Sequence, residues 1–182
     1  MQPKKRNNVY AFSELPSTQD KAWELVSNGV PSGSLVIAGI QTAGRGRQGK
    51  IWHSPAGSLC FSLVLFPISS RQSGGITLST ARALQLVLKS ALGLETRLKL
   101  PNDLYFGEKK LAGIILEVKQ DKAVLGVGLN VNCRTGSWPV GVCAVSLREI
   151  LNRRVSRCAI LSAFLNNFQK ETLTVALFED KI

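Results

Sequence analysis

A glycine-rich basic segment at residues 41–55, with the sequence QTAGRGRQGKIWHSP, is the part of the chain best equipped for chemistry. Its glycines and cations alternate without an intervening acid: Gly44, Arg45, Gly46, Arg47, Gly49 and Lys50. Glycine lets the backbone approach a ligand closely. Successive backbone N–H groups can form a hollow that binds anions, and the arginine guanidinium matches phosphate oxygens. The pattern therefore predicts a loop that handles phosphate or another anion.

Other interpretations of this loop stay open from its residues alone. A basic patch for nucleic acid and a solvated turn both fit its composition. A flexible linker fits less well, because apolar strands are predicted on either side, at residues 34–41 and 58–66. The segment is not a Walker A phosphate-binding loop, because Ile51 stands where that motif needs Ser or Thr.

A second polar segment, KLPNDLYF at residues 99–106, follows a short predicted strand that Pro101 ends. Lys99, Asn102 and Asp103 would then face a ligand from the end of the strand. Asp103 would coordinate Mg²⁺ or orient a cation. An ordinary Asn-Asp turn is the alternative interpretation.

A third segment, EKKLAGIILE at residues 108–117, places Lys110 at the entrance to a strand so apolar that both of its faces are predicted to be buried. The lysine can hold positive charge at the floor of a pocket, or it can extend its amine to water from the strand end. Gly113 in this strand, and Gly126 and Gly128 in GVGLNVN further on, indicate that backbone or ligand approaches closely.

The composition limits the partners and the compartment. The 182 residues carry 23 Lys and Arg against 12 Asp and Glu, a formal net charge of +11, which favours a polyanionic partner or serves solubility alone. The four cysteines form no C-x-x-C pair, and a single histidine does not complete a zinc site. We interpret them as reduced thiols, two of them buried, in a cytoplasmic protein. No signal peptide is predicted, and no apolar run reaches the roughly 18 residues of a membrane span.

Hydrophobic periodicity predicts the elements that would position these segments. Strands are expected at 10–18, where the strand leads into a loop, at 34–41, 58–66 and 96–100, and twice within 110–131, around a turn at Gln120 and Asp121. Helices are expected at 19–28 with Ser17 or Thr18 as cap, and at 74–94, 146–152 and 156–178. Strands and helices do not alternate regularly, so we predict an α+β fold with a mixed, largely antiparallel sheet and helices mainly on one face. One domain is expected over residues 1–182, with residues 1–8 as a flexible basic tail.

Taken together, four segments resemble the catalytic domain of biotin–protein ligases: ELPSTQD, QTAGRGRQGKIWHSPAGSLCFSL, KLPNDLYF with KKLAGIILE, and GVGLNVN. The resemblance covers residues 12–132, and the loop pattern G-R-G-R-x-G-[RK]-x-W-x-S-P is highly specific to that family. Lipoate–protein ligases share the fold but use a different glycine-arginine motif, which we do not find in this sequence. The resemblance implies the catalytic fold that biotin and lipoate ligases share with class II aminoacyl-tRNA synthetases.

The family resemblance implies an activity in two steps. Biotin and ATP give biotinyl-5′-adenylate and pyrophosphate, with Mg²⁺ as cofactor. The biotinyl group then passes to one lysine of an acidic carrier, the biotin carboxyl carrier protein of acetyl-CoA carboxylase. The implied partners are biotin, ATP and this carrier, with no DNA and no membrane, and a homodimer is left open.

Residues that match the family motifs carry implied roles. Catalytic charge stabilisation falls to Arg45, Arg47 and Lys110. Biotin contacts fall to Ser17, Thr18, Gln19, Gln41, Gly44, Arg45, Gly46, Arg47, Lys110, Gly113 and Gly128. Nucleotide contacts fall to Arg47, Lys50, Trp52, Asn102, Asp103, Lys110 and Asn130, with Asp103 also the candidate Mg²⁺ ligand. The loop is expected to act as a mobile lid that closes over biotin and the adenylate.

The sequence departs from the family pattern at three positions: Gln19 replaces Asn, Lys50 replaces the commoner Arg, and Leu100 replaces the usual Trp. Within residues 1–182 we expect neither a winged helix–turn–helix nor an SH3-like domain. Two alternative functions stay open: a ligase of the same fold that acts on lipoate or another acyl group, and a non-catalytic nucleic-acid-binding module.

Overall fold

The computed structural model describes residues 4–6, 8–134 and 136–179, and this part of the chain contains one eight-stranded sheet. Its strands are β1 Lys4–Arg6, β2 Val9–Leu15, β3 Leu35–Gln41, β4 Leu59–Leu65, β5 Arg97–Lys99, β6 Asp103–Phe106, β7 Lys109–Lys119 and β8 Lys122–Leu129. They lie in the order β1-β2-β3-β4-β8-β7-β6-β5, and every neighbouring pair is antiparallel except β2 and β3. The predicted mixed, largely antiparallel sheet is confirmed.

The helices of the described residues are α1 Thr18–Ser27, α2 Ser73–Leu92, α3 Leu147–Leu151 and α4 Arg157–Glu179. The parallel strands β2 and β3 need a crossover connection, and α1 supplies it. Ser17 caps α1, because its hydroxyl oxygen accepts hydrogen bonds from the backbone N–H groups of Gln19 and Asp20. None of these helices is both long and apolar enough to cross a membrane.

The two faces of the sheet are covered by different helices. One large core joins the central strands to α2 and α4 and includes Phe61 and Leu125. A second, smaller core joins the same strands to α1 through Val36, Val64 and Val124. Side chains alternate between the faces of a strand, so the two long helices lie on one face and α1 lies on the other. The prediction of helices mainly on one face is confirmed, with α1 as the exception.

Two details differ from the elements predicted from the sequence. The predicted strand and turn are both present, but they are followed by an additional strand, β6, which pairs with β5 and places Lys99 opposite Asp103. Lys4–Arg6, in the middle of the expected flexible tail, form β1 beside β2, whereas residues 1–3 and 7 lie outside the described residues.

The four cysteines are free, as expected. Cys60 and Cys133 are buried, whereas Cys143 and Cys158 are exposed. The pKa values of the Cys60 and Cys133 thiols are raised above the ordinary value, mainly because both side chains are buried.

The two pairs of thiols should differ in reactivity, because the thiolate is the reactive form and burial suppresses it. A chromogenic disulfide reagent at about pH 8, close to the pKa of a free thiol, should titrate two thiols in the native protein, Cys143 and Cys158, and all four after denaturation in urea. Reaction of all four without denaturant would contradict the burial of Cys60 and Cys133.

Phe164 of α4 is fully buried, with its ring centroid 5.3 Å from that of Phe61 and 5.6 Å from that of Phe168. Replacing Phe164 by alanine should lower the free energy of unfolding by about 3–5 kcal/mol, because it leaves a cavity where α4 meets the sheet. Urea unfolding measures the loss. Leu86→Ala, at an exposed position of α2, is the control and should cost less than about 0.5 kcal/mol. Equal losses in the two variants would be inconsistent with this packing.

Candidate active site

A cavity of about 350 Å³ opens on the α1 side of the sheet, between the glycine-arginine loop and strands β7 and β8. Most of the site residues predicted from the sequence line it: Ser17, Thr18, Gln19, Gln41, Arg45, Gly46, Arg47, Lys50, Trp52, Asn102, Asp103, Lys110, Gly113 and Gly128. Gly44 and Asn130 do not line it. Segments that are far apart in the sequence therefore meet at one place.

The backbone of two glycines forms the floor of this cavity. Gly113 of β7 and Gly128 of β8 stand opposite each other in the sheet. The Trp52 indole lies against both of them. A Cβ at Gly128 would be 2.3 Å from Trp52 Cε2, and a Cβ at Gly113 would be 3.1 Å from Trp52 Cζ3. A side chain at Gly128 would therefore displace the ring, so the close approach that both glycines predicted is made here by an aromatic side chain.

A line of charged and polar side chains crosses one wall of the cavity. Lys110 Nζ donates to Asp103 Oδ2 over 2.7 Å, and Asn102 Nδ2 donates to Asp103 Oδ1 over 3.0 Å. Arg47 of the loop reaches the same group, because its Nη1 donates to Asn102 Oδ1 over 2.9 Å. Asn102 is fixed in turn by donating to the backbone carbonyl of Ile114. The loop is thereby connected to the strand that carries Lys110.

This line of residues has a surplus of positive charge. Lys110 and Arg47 contribute two cations, and Asp103 is the one carboxylate among the described residues that line the cavity. The Lys110 ammonium also lies 5.5 Å from the centroid of the Trp52 ring, which favours a cation over the ring face. Such an arrangement is suited to a ligand that brings negative charge.

A second polar group lies deeper, at the start of α1. The backbone N–H and the hydroxyl of Thr18 both donate to Gln41 Oε1, over 2.8 and 3.0 Å. Gln41 Nε2 donates to Ser54 Oγ over 2.9 Å. Because a backbone N–H can only donate, these contacts fix which end of the Gln41 amide faces Thr18.

Ser62 is part of this group and was missed from the sequence. It is fully buried in β4, and its hydroxyl contacts Thr18 Oγ1 and Gln19 Oε1, each over 2.9 Å. Gln19 Nε2 donates to the Val124 carbonyl over 2.8 Å. Both the oxygen and the nitrogen of the Gln19 amide therefore have partners, although this side chain is longer than the Asn of the family pattern. The signal was available, because a serine at the centre of the apolar segment SLCFSLVLF must find a partner when it is buried.

The loop folds back on itself as it crosses the cavity. Gly44 O accepts from Trp52 N, and Lys50 O accepts from Gly46 N, so the two arms run side by side. The tip turns through Gln48 and Gly49, whose φ angles are 55° and 72°. A Cβ at Gly44 would lie 2.4 Å from Trp52 O, so glycine is needed for the arms to run this close. Closure of the loop as a lid stays a prediction.

Three predicted residues take unexpected positions. The Arg45 guanidinium pairs with Asp20 and Glu117 instead of joining Lys110 and Arg47. Asn130 is buried behind the cavity, where its Nδ2 donates to the carbonyls of Lys110 and Val145. Leu100 is 74% exposed, so the residue that replaces tryptophan does not fill the core.

A family model described as the biotin/lipoate A/B protein ligase family matches residues 11–133. The chain belongs to this family. Among solved structures, the ligase fold is matched by the biotin protein ligase from Aquifex aeolicus in complex with biotin and ATP. The TM-score is 0.82 at 32% sequence identity, over 91% of this chain and 70% of the other.

Named relatives in this ligase family include the bifunctional ligase/repressor BirA of Bacillus subtilis, which is 35% identical over 165 residues, or 86% of this chain and 51% of BirA. The biotin--[acetyl-CoA-carboxylase] ligase of Mycobacterium tuberculosis is 41% identical over 108 residues, or 54% of this chain and 40% of the relative. The chain thus spans about half of the length, or less, of these two relatives.

Ser62→Ala tests the buried polar group directly. It removes the hydroxyl that contacts Thr18 and Gln19, so the free energy of unfolding should fall by about 1–3 kcal/mol, the cost of buried polar atoms left unpaired. Ser27→Ala, at the exposed end of α1, is the matched control and should cost less than about 0.5 kcal/mol. Urea unfolding of both variants measures the difference, and a neutral Ser62→Ala would be evidence against the network.

Proposed function

We propose that this chain is the catalytic part of a biotin–protein ligase. It would join biotin to ATP as biotinyl-5′-adenylate, with release of pyrophosphate. It would then transfer the biotinyl group to one lysine of the biotin carboxyl carrier protein of acetyl-CoA carboxylase. The family membership and the names of the relatives support this activity.

The observation that carries the proposal is the line formed by Lys110, Asp103, Asn102 and Arg47 on the cavity wall, beside the Trp52 indole. The cations suit a carboxylate and a phosphate. Biotin brings the carboxylate, and ATP brings the phosphate.

In the first step, a biotin carboxylate oxygen attacks the α-phosphorus of ATP and pyrophosphate leaves. Both reactants are anions, so the protein has to neutralise their repulsion and the charge that develops on the phosphate oxygens. Lys110 is held for this task by Asp103, 2.7 Å away. Arg47 and Lys50 bring further positive charge on the loop.

In the second step, the amine of the carrier lysine attacks the biotinyl carbonyl carbon, and AMP leaves with the bonding electrons. Neither step needs a nucleophile from this chain, because the attacking atoms belong to biotin and to the carrier. The described cavity lining fits this scheme, since it has no cysteine and no histidine.

Asp103 fits a minor role in holding Mg²⁺. This ion usually takes one or two protein carboxylates together with phosphate oxygens and waters. Asp103 offers one carboxylate, whose oxygens already accept from Asn102 and Lys110 and keep further lone pairs. The described residues contain no cluster of three His, Cys, Asp or Glu for a metal. When bound, the ion would neutralise phosphate charge.

The alternative functions have less support. Arg45, Arg47 and Lys50 are all exposed, but Arg45 is paired with two acids and the other two line the cavity, which favours a cavity ligand over nucleic acid. Transfer of lipoate or another acyl group by the same fold is distinguished from biotin transfer by measuring which of these acids the chain turns over. We also propose a cytoplasmic location, which the free thiols support. A homodimer stays a prediction.

Lys110→Ala and Arg47→Ala should each lower the rate of biotin-dependent pyrophosphate release by about 10- to 1,000-fold, because each removes a charge near the reacting phosphate. Lys109→Ala is the matched control, since Lys109 is the exposed neighbour of Lys110 and does not line the cavity. The assay uses ATP with biotin, lipoate or octanoate. A wild-type chain that turns over lipoate or octanoate but not biotin would disprove the proposed substrate.

A further inference from the structure

Arg45 and Arg47 leave the loop towards different partners. Arg47 reaches Asn102 on the cavity wall, whereas Arg45 borders both the cavity and a groove formed with α1 and the far end of β7. Arg45 Nη2 lies 2.6 Å from Asp20 Oδ1, and Arg45 Nη1 lies 3.0 Å from Glu117 Oε1. Both terminal nitrogens of its guanidinium are therefore engaged with carboxylates.

Glu117 is held in place independently of Arg45. Its Oε2 accepts a hydrogen bond of 2.6 Å from Trp23 Nε1, and its side chain is only 23% exposed. The same indole is also contacted by Lys119, whose ammonium lies 4.5 Å from the centroid of the Trp23 ring. The Glu117 carboxylate on β7 is thus held by a contact that does not involve the loop.

Asp20 is fixed on a second rigid element. It lies in the first turn of α1, where its backbone N–H donates to the Ser17 cap. The positive end of the helix dipole favours a carboxylate at this position. Arg45 therefore pairs with two acids, one on a helix and one on a strand, and neither acid lies in the loop.

We propose that Asp20 and Glu117 form a clasp that positions the loop through Arg45, and that Arg47 is the arginine that serves the reacting groups. Fixing Arg45 constrains the tip because Arg45 bridges to Ile51 across the loop and Gly46 N donates to Lys50 O. Arg45, Asp20 and Glu117 are then positioning residues. The activity part of this inference rests on the proposed function, whereas the loop-ordering part does not.

Amide hydrogen exchange of residues 44–52 tests the clasp without any substrate. Glu117→Gln removes the charge and keeps an acceptor for Trp23, and Asp20→Asn keeps a short polar group at the helix start. Each should speed exchange of the loop about two- to fivefold, since each weakens a partly exposed ion pair. Glu24→Gln is the matched control, because it removes a surface carboxylate of α1 whose ion pair among the described residues is with Lys21, and it should leave loop exchange unchanged.

Salt gives an independent measure of the same contact. Exposed ion pairs are screened as ionic strength rises. Loop exchange in the wild-type protein should therefore rise between low and about 1 M salt. In the Asp20→Asn, Glu117→Gln double variant it should stay nearly constant. An equal salt response in both proteins would overturn the clasp.

Kinetics separate positioning from direct catalysis. Glu117→Gln and Asp20→Asn should raise KM for biotin about two- to fivefold, with kcat within about twofold, because substrate binding re-orders the loop. Adding Glu117→Gln to Arg45→Gln should bring little further loss, since both changes remove the same contact. A large fall in kcat for Arg45→Gln, with normal loop exchange in all the variants, would mean that Arg45 acts on the reacting groups directly.

Failure of this inference differs from failure of the proposed function. A wild-type chain with no biotin-dependent turnover would reject the function, and the exchange and salt experiments would still decide whether the clasp orders the loop. Unchanged exchange in an active enzyme would reject the clasp alone. Thermal midpoints of all variants, expected to stay close to that of the wild type, exclude unfolding as the cause of faster exchange.

Discussion

The absence of side chains at Gly113 and Gly128 is the constraint on which the rest of the site depends. These residues face each other on β7 and β8, so the gap they leave is continuous across two strands. The opposite face of the sheet is covered by the core with α2 and α4, and there the same strands present large apolar side chains. Because side chains alternate between the two faces of a strand, one segment can pack a core on the face of α2 and α4 and expose glycine backbone on the face of the cavity. A ring can come into contact with the sheet only where no Cβ intervenes.

The charge at the cavity depends on which side chains are paired there and not on the net charge of the chain. The formal charge of +11 is spread over the whole chain, yet the cavity wall depends on two cations and the single carboxylate between them. Asp103 and Asn102 join a strand lysine to a loop arginine, so the position of the loop and the position of the ammonium are coupled. Two further cations, Lys50 and Arg45, line the cavity, and Arg45 is balanced by acids on the outer side and adds little to the charge within it.

The sequence was most informative where one residue type has a strong physical meaning. Glycines predicted close approach, the lysine before an apolar strand predicted a charge at a strand mouth, and Ser17 predicted a helix cap. Partner choice was harder to predict. Arg45 and Arg47 are equivalent in the local pattern, and only the tertiary positions of Asp20, Glu117 and Asn102 distinguish them. Ser62 was missed and Asn130 lies behind the cavity for a related reason, since an inward-facing polar residue can support a neighbour instead of lining the cavity.

Trp52 occupies the patch of backbone that Gly113 and Gly128 leave without side chains, so its indole would compete with any ligand that needs the same patch. A ligand that needs this patch can bind only during the fraction of time in which the indole is elsewhere, and its apparent dissociation constant is raised by the inverse of that fraction. An indole that rests on the glycines for nine-tenths of the time would weaken such a ligand about tenfold without touching it. Substitutions in the loop can therefore tune affinity from positions that never contact the ligand.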